Sequence, residues 1–181
     1  MLPPRTGQNV GQETKSIEHQ EGVGATVLTD LELAIRFVAE LRIPIGDRQV
    51  RVRVPTLGAY LATKAMTFAA RIPLQGVDGK LQKRGKDLVY IHDVMLAGEE
   101  LRAEIGRDLA AIAEAGQPYP ESLRKARNHL SLLRGSSPHP ALSDAVALIV
   151  ERDVVSPEFA RAAIRGAAED LIEMLDEASG P

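Results

Sequence analysis

The stretch "VRVPTLGAYLATKAMTFAARI" (residues 52–72) decides the fold, because the hydrophobic period changes inside it. Up to Pro55 the period is two. Val50, Val52 and Val54 alternate with Arg51 and Arg53, as in a strand with one apolar and one wet face. Beyond Pro55, Leu57, Leu61 and Phe68 recur at helical steps, and Thr56 stands where an N-cap belongs. The junction predicts a strand feeding directly into a helix that runs to about Arg71. Tyr60, Lys64, Thr67 and Arg71 share the stripe of Leu57, Leu61 and Phe68 by three- and four-residue steps, so an ammonium sits on a largely apolar face.

Towards the N-terminus the period-two pattern extends back to Leu31. Leu31, Leu33, Ile35 and Phe37 alternate with Glu32, Ala34, Arg36 and Val38, and Leu41, Ile43 and Ile45 continue the odd-numbered face. A Gly46-Asp47 turn then leads into the valine–arginine run, which predicts an antiparallel hairpin with one buried face. Residues 1–23, rich in Gly, Gln, Glu and Pro, read as a flexible tail.

Towards the C-terminus every apolar pattern is helical. A loop with three glycines follows residue 72. Helices are expected over about 86–97, 99–115, 121–134 and 142–151. A last helix opens with Ser156 as N-cap and Pro157 at its first position, and runs to about Ala178. The fold class is α+β: a short antiparallel hairpin or sheet on the N-terminal side, packed against a C-terminal bundle of five or six helices. The expected organisation is a tail (1–23), a hairpin with two helices (24–97) and a helical bundle (98–181).

Composition narrows the function. Aromatic residues make up 3% of the chain and Trp is absent, so stacking of exposed bases on a row of rings is not the expected mode of binding. The net charge of -3 argues against broad nucleic-acid affinity. Cationic charge is concentrated locally instead: Lys80, Lys83, Arg84 and Lys86 lie within seven positions. With no cysteine, disulfides, thiolate metal sites and a thiol nucleophile are excluded. No apolar run approaches the length of a membrane span, which points to a soluble, cytoplasmic chain with no membrane partner.

The chemistry-bearing candidates are Lys64, the loop cations and Asp87. Lys64 and Arg71, one heptad apart, would present two cations to one anionic ligand; a lysine so placed also commonly lays its methylenes on apolar neighbours and keeps its charge in water. Asp87 falls in the first turn of its helix, where a carboxylate favours the helix dipole, and it would also be placed to orient Lys64 or Arg71 or to move a proton. Asp93 is turned about 240° from Asp87 on an ideal helix and cannot line the same site. His19, His92, His129 and His139 show no metal-ligand spacing, and neither a P-loop nor a Gly-x-Ser-x-Gly elbow is present.

Taken together, the valine-rich strand ending at Pro55, the helix carrying Lys64-Ala65 with Arg71 a heptad later, the basic loop and "KDL" at Lys86-Asp87-Leu88 resemble the second half of the abortive-infection, AbiEii-like nucleotidyltransferases. The resemblance covers roughly residues 50–96. It implies a toxin-type transferase moving a nucleotide from a nucleoside triphosphate, with Mg2+, to an acceptor such as RNA. It further implies that Lys64 and Asp87 are the catalytic pair, that Lys64, Arg71, Lys83, Arg84 and Lys86 bind the nucleotide phosphates, and that the chain is a truncated or split form. The Gly-Ser turn and Asp-x-Asp pair that hold the metal in that family have no counterpart; Asp30 and Glu32, on one face of the expected strand, are the metal candidates. The other reading is a non-catalytic helical regulatory or interaction protein derived from that fold. An exposed strand edge would suit a homodimer or a protein partner in either case.

Overall fold

In a computed structural model of the chain, residues 12–16, 24–28, 31–69, 85–135 and 139–180 are described. The class is α+β and mostly helical. The described elements are β1 (Gln12–Ser16), β2 (Gly24–Leu28), α1 (Glu32–Arg36), β3 (Val38–Ile45), β4 (Arg48–Pro55), α2 (Leu57–Phe68), α3 (Lys86–Met95), α4 (Glu99–Glu114), α5 (Tyr119–Ser131), α6 (Pro140–Asp153) and α7 (Pro157–Ser179). A 3-10 turn, Leu132–Arg134, extends α5. β1 pairs with β2, and β3 with β4, as two separate antiparallel ribbons. Residues 12–16, read from the sequence as part of a tail, are thus a strand.

The junction at Pro55 is as the change of period predicts. Thr56 caps α2, its hydroxyl accepting from the Ala59 amide, and Asp108 of α4 reaches across to accept from the Gly58 amide at 3.0 Å. Two otherwise unpaired amides of the first turn are thereby satisfied. A Cβ at Gly58 would lie 2.6 Å from Cβ of Asp108, so the missing side chain is what lets α2 and α4 meet. At the far end Ser156 caps α7 through the Phe159 amide, with Pro157 at its first position.

Two expectations are corrected. Residues 32–36 form a helical turn, not the start of a strand. Leu33 and Phe37, members of the alternating set, are also four apart. Leu33 is buried, Phe37 packs edge-on against Tyr119 at 5.0 Å between centroids, and Ile35 is 71% exposed. Helical spacing puts both useful side chains on the bundle, and Glu32 and Arg36 sit at the ends of the turn that suit its dipole. Second, the hairpin buries no face. β3 is exposed from Ala39 to its end, and Leu41, Ile43, Ile45 and Val50 are all exposed. The turn itself is as read: two residues, with positive φ at Gly46 and not at Asp47, the pattern of a type II′ turn.

The core lies wholly among the helices. Leu61, Ala65 and Phe68 of α2, Leu88, Ile91 and Met95 of α3, and Ile105, Leu123, Leu142, Ile164 and Leu171 of the helices after them form one buried cluster. Gly85, just before α3, is where two backbones touch: a Cβ there would overlap the Asp144–Ala145 backbone of α6. No described helix is long and apolar enough to cross a membrane.

Candidate functional site

α2 and α3 lie side by side in the core, and the polar side chains on their shared seam converge. Lys64 Nζ is 2.9 Å from Asp87 Oδ1, and the Thr67 hydroxyl donates to Asp87 Oδ2 at 3.2 Å. Asp87 is 1% exposed, while the Lys64 side chain keeps 20% of its surface. The carboxylate is therefore sealed, while the lysine side chain is partly open to solvent. A buried carboxylate is tolerable here because both of its oxygens are satisfied and one partner is a full positive charge.

Two rings complete the arrangement. The ammonium lies 5.4 Å from the centre of the Tyr60 ring and 5.1 Å from that of Tyr90. Both distances are within cation–π range, and the rings stand 6.4 Å apart. Burial, with the Tyr90 and Asp87 charges adding to it, raises the Tyr60 hydroxyl above its ordinary pKa. Lys64 thus has a fixed direction, set by the Asp87 carboxylate and by two rings that lie next to each other beside the ammonium. The snorkelling arrangement, with the charge simply in water, is not what forms.

Tyr90 also lines a groove of about 470 Å³ between α3 and α6, together with Lys86, Val89, Leu148, Glu151 and Arg152. The cage and the groove are contiguous through that ring. A second cluster shares Arg152 with this groove. His92 Nδ1 donates to Asp93 at 2.9 Å, and Arg152 reaches Asp93 through two nitrogens at 2.6 and 2.9 Å. The Arg152 guanidinium holds the Asp93 carboxyl below its usual range, and Asp153 beside it is lowered by the same group. Asp87 meets Lys64 of α2 and Asp93 meets Arg152 of α6, about 120° apart around α3.

Of the residues singled out in the sequence, Lys64 and Asp87 are brought together. Lys86 is exposed one residue away, on the wall of the groove. Arg71, Lys83, Arg84 and Asp30 lie outside the described residues. Glu32 is exposed in the first turn of α1, so the shared strand face proposed for it with Asp30 does not form. Among the described residues no three carboxylate or histidine side chains converge on a point that would hold a metal ion, and both oxygens of Asp87 are engaged by Lys64 and Thr67. Sequence reasoning missed Tyr90; its position three residues after Asp87 places it on the same helical face and was the available signal. It also missed Gly85, whose role depends on a helix 60 residues later.

Compared with protein-family models, curated proteins and solved structures, the chain matches none of them.

Proposed function

We propose that the chain is a nucleotidyltransferase-like protein in which Lys64, aimed by Asp87, holds the phosphates of a nucleoside triphosphate. The observation that carries this reading is the one-sided burial of the pair: an ammonium fixed at 2.9 Å by a sealed carboxylate, flanked by Tyr60 and Tyr90, and open towards solvent. An ammonium carries three donors. Asp87 takes one, and phosphate oxygens would take the others. Lys86, at the first position of α3, adds a cation beside a helix N-terminus, and Lys83 and Arg84 precede it in the chain. In this reading Asp87 positions Lys64, the rings keep water from its flanks, and the groove beyond Tyr90 receives the remainder of the ligand. Transfer to an acceptor, RNA among the candidates, would draw its metal-binding carboxylates from outside this cluster.

The reading as a non-catalytic interaction protein rests on a different observation, the uncovered apolar face of the β3–β4 hairpin. The two are separated by thermal-shift measurements with ATP, GTP, CTP and UTP, each with and without Mg2+. Binding to the native state raises the melting temperature by mass action. The expected result is a rise with at least one nucleotide that Lys64→Ala removes. No rise with any nucleotide, or a rise that Lys64→Ala leaves intact, would contradict the phosphate-site reading.

A further inference from the structure

The β3–β4 hairpin carries an apolar face, an arginine-bearing face and two strand edges that have no ladder partner among the described residues. The register puts Ala39, Leu41, Ile43 and Ile45 opposite Val54, Val52, Val50 and Arg48 on one face. Glu40, Arg42 and Pro44 lie opposite Arg53, Arg51 and Gln49 on the other. The Phe37 carbonyl accepts from the Thr56 amide at 2.9 Å, which fixes the hydrogen-bonding parity of the ribbon. Odd residues of β3 turn their amides and carbonyls towards β4; Val38, Glu40, Arg42 and Pro44 turn theirs outward.

We propose that this outer edge of β3 pairs with the same edge of a second copy, antiparallel about a twofold axis at Leu41. In such a pairing only outward-turned residues can exchange hydrogen bonds, so even-numbered residues must face even-numbered ones. With the axis at Leu41, Glu40 faces Arg42 of the second copy, and by symmetry Arg42 faces Glu40. Leu41 meets Leu41 and Ile43 meets Ala39 on the apolar side. Moving the axis one residue either way sets Arg42 against Arg42 or Glu40 against Glu40, which opposes like charges directly. The sequence of β3 is therefore self-complementary in one central register. In this register the Val38 amide faces the Pro44 carbonyl of the second copy, and Pro44, having no amide hydrogen, returns no bond and ends the ladder there.

The edge of β4 does not offer this. Its central register, a twofold at Val52, would set Arg51 against Arg53 of the copy, whereas that of β3 opposes unlike charges. The product is one four-stranded sheet, β4-β3-β3-β4, with a continuous apolar face. Its edge contact is smaller than the interface of a permanent dimer, so association depends on concentration. A strand of another protein with alternating apolar and acidic residues would fit the β4 edge better than the β3 edge.

Sedimentation over a wide concentration series, with the full-length chain, tests the pairing. The mass should rise from the 19.5 kDa of one chain towards twice that value. Arg42→Glu, and separately Glu40→Arg, should each weaken association about tenfold or more by opposing like charges. The double variant Glu40→Arg with Arg42→Glu swaps both partners and should restore it. A protein that stays monomeric throughout, a dimer indifferent to Arg42→Glu, or a double variant no better than the single ones would each overturn the proposal. Both residues are solvent-exposed and outside the core, but Glu40 faces Arg53 and reaches Arg51 within its own hairpin, so the melting curve of Arg42→Glu should match the wild type at dilute concentration, and those of Glu40→Arg and the double variant measure any loss inside the ribbon.

Discussion

The α2–α3 seam and the β3–β4 hairpin use much the same materials, aliphatic side chains interrupted by cations, and arrive at opposite ends of the burial scale. On the seam, Leu61 and Phe68 are fully buried and the intervening Lys64 is answered by a carboxylate that is 1% exposed. On the hairpin, Ile43 and Ile45 are 42% and 61% exposed, and Arg51 finds Glu40 only at 3.7 Å in open solvent. Periodicity assigns residues to a face; it does not supply the layer that covers the face. Helices can cover one another from within the chain. A two-stranded ribbon must find its cover elsewhere, which is why chemistry is sought on the seam and association on the ribbon.

That contrast can be broken most forcefully at Lys64. Lys64→Ala takes a charged partner from the buried Asp87, and it is expected to cost about 3–5 kcal/mol, nearer the lower bound because the lysine is partly open to solvent. Chemical denaturation of the variant measures it, and a loss of a few tenths would mean the pair is not a structural unit. Gly85→Ala is next. Its Cβ would lie 2.6 Å from the Asp144 carbonyl carbon, so α3 and α6 must separate, at a cost of about 1–3 kcal/mol in the same assay.

Acid sharpens the comparison along α3. Arg152 depresses the Asp93 pKa in the folded state, so the stability that Asp93 contributes is present above the ordinary carboxylate value, near 4, and is lost as pH falls through the lower folded value. Melting temperature should therefore drop between about pH 4 and lower pH, and drop less in Arg152→Ala, where only His92 is left to depress Asp93. The smallest effect belongs to the hairpin tip: Ile45→Ala should change stability by about 0.5 kcal/mol or less, since nothing covers that side chain. A larger loss would show that the apolar face is buried after all.

Much of the helical architecture was legible in the sequence because caps and 3.6-residue periods are local. Thr56, Ser156 and Pro157 mark the helix starts that form. The convergence of Lys64 and Asp87 was legible in part, from one helical stripe and one first-turn acid, but Thr67 and Tyr90 join them only through the packing of α2 on α3. Residues 31–37 were misread because alternation and four-residue spacing coincide in Leu33 and Phe37, and only the bundle beneath them favours the helix. Gly85 was invisible, since its reason is the backbone of α6.

The account stands or falls on whether the Lys64 ammonium meets phosphate. The direct measurement follows the Lys64 side-chain 15N signal, assigned with Lys64→Arg, through a nucleoside triphosphate titration. The account predicts a saturable shift of that signal at the concentrations that raise the melting temperature. A Lys64 signal that stays in place while the protein becomes saturated with nucleotide would contradict it.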